Sequence, residues 1–153
     1  MKTNKLLPFF LLFVLAGCGA NGALTHARAN ETISHLVTAA SGAVDVARRQ
    51  QLDSVQASVE ALPVEDQIRS VTQIHERWRV IGIANDALVS ALRTHIEAVN
   101  ADVAGADTTD TLLALLRPIL NNYIWLRSLL EEASVAVLPE IPPFILTLAG
   151  GGR

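Results

Sequence analysis

Past Lys5 this chain contains no lysine, and its single cysteine is Cys18. The missing lysine excludes a P-loop lysine, a Schiff-base lysine and a biotinylated lysine from everything that follows. One cysteine excludes an intrachain disulfide and any metal site built on several thiolates. Aromatics make up 5% of the residues, and beyond position 17 they are Trp78, Tyr123, Trp125 and Phe144. No proline stands between Pro8 and Pro63. Positive charge is also short, with ten arginines against fifteen acidic side chains once Lys2 and Lys5 are set aside. Nucleic acid calls for a basic stripe, and Arg77-Trp78-Arg79 is too small to supply one. No nucleic-acid partner is expected.

What is present begins with a sorted N-terminus. Met1-Lys2-Thr3-Asn4-Lys5 is a basic head, and Leu6 to Ala16 is an apolar run broken only by Pro8. About eleven residues fit the hydrophobic region of a secretory signal; spanning a bilayer takes roughly 20. The small residues Ala16 and Gly17 then lead directly into Cys18. Leu15-Ala16-Gly17-Cys18 in this setting resembles the lipobox of bacterial lipoprotein precursors, cellular or prophage-encoded.

The resemblance implies a diacylglyceryl group on the Cys18 thiol and cleavage between Gly17 and Cys18. It also implies acylation of the new amino group and membrane lipid as a partner. Each buried CH₂ contributes about 0.8 kcal/mol, so two or three acyl chains hold stably where one does not. Gly19, not aspartate, follows the cysteine. By resemblance to enterobacterial lipoproteins, that implies the outer membrane, facing the periplasm, over retention in the inner membrane. The likeness covers residues 1–18 and says nothing of the fold beyond them.

The remainder reads as one domain of helices. Ile33, Val37, Ala40, Val44 and Ala47, then Leu52, Val55, Val59 and Leu62, step by threes and fours, with a slip of phase near Arg48 to Gln51. Pro63 ends that helix and opens the next, where Glu65-Asp66 suit the positive end of the dipole. A seam from Val64 through Ile68, Val71, His75 and Trp78 to Val103, with Ile74, Ile81 and Leu88 beside it, predicts a central helix touching two neighbours. Ala104-Gly105-Ala106 ends it. A third helix carries Leu112, Leu116, Ile119, Tyr123, Leu126, Leu130, Ala133 and Val137, with a kink expected at Pro118.

From Leu138 three prolines predict an extended arm with an apolar tip. The expected fold is therefore all-α: an elongated antiparallel three-helix bundle of coiled-coil character with a Pro-rich extended C-terminal tail. The expected order is signal peptide 1–17, tether 18–24, helical domain 25–137 and tail 138–153.

No residues point to catalysis. His75-Glu76 lacks the second histidine of a zincin, since Arg79 stands four residues on, and no Glu has His three residues later. His75 reads better as a packed histidine or an oligomer contact. Glu31, His35 and His95 are brought near one another by the hairpin register, yet read as solvated surface and not as metal ligands. No Gly-x-Ser-x-Gly is present, and no Gly-rich loop leads into a helix, so no cofactor is expected. Gly82 and Asn85, inside the central helix, read as a close crossing or a register lock, or as a tolerated irregularity. Phe144, Ile145, Leu146 and Leu148 form an apolar cluster that needs burial, on the chain's own bundle, on a partner or on a second copy.

The function these features suggest is a lipid-anchored envelope protein with a structural or protein-binding role. A phage or prophage envelope factor, acting in lysis as the spanin lipoproteins do or in superinfection exclusion, is compatible with the same features. A holin or endolysin gene alongside would favour the latter.

Overall fold

The computed structural model describes the backbone of residues 7–102 and 109–150, and the side chains of 27–101 and 114–150. The described residues are all-helical, with α1 over Leu7–Val59, α2 over Val64–Asp102, α3 over Thr109–Glu132 and α4 over Pro143–Gly150. The chain divides into two compact units, Met1–His35 and Leu36–Arg153. In the first unit the backbone of residues 17–24 is part of α1, and the side chain of Cys18 lies outside the described residues. Further along, Ala29 and Ile33 are buried while Glu31 and His35 are exposed.

The second unit begins with the rest of α1. Its buried positions Val37, Ala40, Val44 and Ala47 continue to half-buried Gln51, Val55 and Val59. The slip of phase expected near Gln51 is absent. The row runs straight through a glutamine, and Leu52 beside it is half exposed. Trp78 explains the choice: its indole Nε1 donates to Gln51 Oε1 at 2.6 Å, and a buried indole N–H needs such an acceptor.

The reversal at Pro63 falls where expected. Leu62 N bonds back to Val59 O, and Pro63 O accepts from the amides of Asp66 and Gln67. The Gln67 side chain closes the turn by donating to Leu62 O at 2.7 Å. Proline suits this first turn because its missing N–H would have no helical partner there. Ser41 pairs with Asn85 and Gln51 with Trp78, so α2 runs back along this stretch of α1.

α2 also packs against α3, where Asn122 Nδ2 donates to Ala87 O at 3.3 Å. Leu116, Ile119, Tyr123, Leu126 and Leu130 are buried at the predicted spacing. Burying a leucine or isoleucine side chain contributes about 1.5–3 kcal/mol, so this row is the main source of cohesion. α3 continues through Pro118; the carbonyl of Ala114 loses its partner, but both residues face water. The turn expected near Gly105 falls outside the described residues.

Two expectations about the C-terminal end are corrected. α3 stops at Glu132, short of Val137, because Ser134 adopts a left-handed φ of 54°. Val135 N then reaches Leu130 O, and Ser134 N reaches Glu131 O. These two bonds make a Schellman cap, which satisfies carbonyls the helix end leaves open. Nor is the tail extended to its end, since Pro143 opens α4. A proline at the first helical position has the required φ and forfeits no bond, so the three prolines stop a helix only as far as Pro142.

Candidate functional site

The apolar cluster of the tail splits on the structure. Ile145 is fully buried and Leu148 half-buried, while Phe144 and Leu146 are exposed. α4 packs on α3, so the tail lies on its own helices. Two hydrogen bonds hold it there: Tyr123 OH to Pro139 O at 2.8 Å, and Arg117 Nε to Ala149 O at 3.0 Å. The second places a guanidinium at the carbonyl end of α4, where the helix dipole favours positive charge. Tyr123 itself is buried, and that burial raises its phenol pKa, with the nearby Arg127 charge opposing.

Asn85 links α1 to α2: its Oδ1 accepts from Ser41 Oγ at 2.9 Å, beside the fully buried Ala40 and Ala84. A half-buried polar pair at one level penalises any slide of α1 along α2. Gly82 is different. A Cβ built there would meet nothing within 4 Å, so no described helix crosses it at close range.

Glu31 and His35 form an exposed i,i+4 pair at 3.8 Å, whereas His95 is 2% exposed with its pKa lowered by burial. Among the described residues no group of three His, Cys, Asp or Glu side chains is placed to hold a metal. His95 is thus not the solvated surface residue expected; it continues the row of Ile74, Ile81 and Leu88 by a further step of seven.

The feature that stands out lies at the α1–α2 turn. A groove of about 570 Å³ runs between the helices, floored by Val55, Val59, Ile74 and Trp78 and edged by Leu52 and Val71. Leu52 and Val71 are each about half exposed, and Leu62, Val64 and Ile68 continue the apolar surface toward the turn. α3 does not cover it. Leu129, Glu132 and Ala133 at the end of α3 share a recess with Arg77 and Ile81, so α2 from Val64 to Ile74 lies beyond that level. Arg48 lines one end of the groove and Glu60 the other.

No helix among the described residues is long and apolar enough to cross a membrane. No protein-family model, curated protein or solved structure matches the chain.

Proposed function

We propose that this is a lipid-anchored envelope protein with a protein-binding or structural role. Its helical part is an antiparallel three-helix bundle, facing the periplasm from the outer membrane. The Leu15-Ala16-Gly17-Cys18 motif after a basic head and apolar run supports the anchor. The observation that carries the binding role is the uncovered groove between α1 and α2. Solvated apolar side chains grouped on one surface are the mark of an interaction site. Nothing in the residue types around the groove points to bond-making chemistry, and no catalytic step is assigned.

The test is expression of the full chain in a Gram-negative host. The wild type should sediment with the outer membrane and enter a crosslinked protein complex. Cys18→Ser should move to the soluble periplasmic fraction, and Val71→Glu should lose the complex while keeping its helicity. Unchanged fractionation of the first variant contradicts the anchor. An unchanged complex in the second contradicts the binding surface.

A further inference from the structure

We propose that the groove at the α1–α2 turn is where two copies of this chain meet, antiparallel across a two-fold axis; the proposal rests on the protein-binding reading above. Three observations lead to a second copy as the occupant.

Shape comes first. Beyond the end of α3 the described residues present two helices with no third layer, and a second hairpin would complete four. Leu52, Val55 and Val59 on α1, and Val71, Ile74 and Trp78 on α2, step by threes and fours. Helices packing into such a face need the same spacing on their own side. A two-fold contact presents one surface to itself, so the copy satisfies that condition automatically.

Charge gives the direction. Arg48 and Glu60 sit at opposite ends of the groove, twelve residues apart on one helix, or about 18 Å at 1.5 Å per residue. Neither has an ion-pair or hydrogen-bond partner among the described residues. Of the other charges on α2, Arg69 is paired with Asp66 and Arg79 with Glu76 on their own helix. A two-fold axis through the middle of the groove exchanges its ends. Arg48 of each copy then faces Glu60 of the other, twice over. A parallel contact would instead set like against like.

The third observation is His75. It is exposed and lines the groove, where a facing copy would cover it.

The experiment uses the full chain in membranes of a Gram-negative host, with Arg48 and Glu60 both replaced by cysteine. A disulfide needs Cα atoms roughly 4.4–6.8 Å apart, so oxidation can join these positions only between copies. A band of twice the chain mass on a non-reducing gel is expected. The parent chain, with Cys18 alone, should not give it, and adding Val71→Glu should abolish it. In the otherwise native chain, purified in detergent, Arg48→Glu should weaken self-association about tenfold. The exchange Arg48→Glu with Glu60→Arg should restore it to within about threefold, because both cross-copy pairs are reversed together. Helicity should be the same in all variants.

A chain monomeric at every concentration, or a charge exchange no better than the single reversal, overturns the proposal. If Val71→Glu instead abolishes crosslinks to a different envelope protein, the second copy is wrong and the protein-binding surface stands. If Val71→Glu changes neither, both readings fall.

Discussion

The Tyr123 hydroxyl donates to the Pro139 carbonyl at 2.8 Å, and this bond fastens the chain beyond α3 back onto α3. Removing the hydroxyl in Tyr123→Phe should cost about 1 kcal/mol, the usual net contribution of such a bond. The pH dependence carries a second signature. Burial raises the Tyr123 pKa above 10.0, so the folded chain keeps the phenol proton after the unfolded chain has lost it. That stability is complete below about pH 10 and declines as the pH rises through the folded pKa. Thermal melts from pH 9 upward should show the decline in the wild type and a shallower one in Tyr123→Phe.

Neighbouring tail residues should behave in opposite ways. Ile145 is 0% exposed, so Ile145→Ala should destabilise by about 2–4 kcal/mol. Phe144 is 40% exposed, and Phe144→Ala should cost less than about 1 kcal/mol. Denaturant midpoints of the two variants measure the contrast directly. Deleting Pro139 to Arg153 should lower the melting temperature by several degrees.

His95 ties stability to mild acid. Burial lowers its pKa below 6.5, so the unfolded chain takes up a proton before the folded chain does. The contribution is full above about pH 6.5 and is lost as the pH falls toward the folded pKa. Denaturant midpoints between pH 7.5 and 5 should drop in the wild type and flatten in His95→Leu.

Two backbone positions offer gains. Ser134 holds a left-handed φ that costs a residue with a side chain roughly 1–2 kcal/mol, so Ser134→Gly should stabilise by about 1 kcal/mol. Gly82 lies inside α2 with open space where a Cβ would go, and Gly82→Ala should add about as much. Calorimetry on each variant should show an upward shift of a few degrees.

The helices were largely legible because apolar residues repeat at helical spacing and Pro63 interrupts them. Periodicity failed where a polar residue occupied a core position, and also on α2, where the expected seam residues Val64, Ile68, Val71 and His75 are exposed and the burial follows Ile81, Leu88 and His95 instead. Gln51 was passed over for Leu52 because nothing local reveals that it accepts from Trp78, 27 residues away. His95 was missed for the same reason, although the row of steps of seven runs straight to it. α4 was hidden by Pro143, which bars a helix interior and favours a helix start. Asn85 was conspicuous as a polar seam residue, but its partner Ser41 emerges only from the folded register. The groove was hardest to foresee, because its exposure depends on α3 ending at Glu132, ahead of a left-handed serine, Ser134, where glycine is the usual signal.

The proposed lipid anchor stands or falls on what Cys18 carries. Intact and peptide mass spectrometry of the full chain, purified from membranes of cells grown with labelled palmitate, measures that modification. A lipid-anchored chain should begin at Cys18 and be heavier than its amino-acid mass by two or three acyl chains and a glyceryl group, with the label lost in Cys18→Ser. An unmodified Cys18, or a mature N-terminus at any other residue, would contradict it.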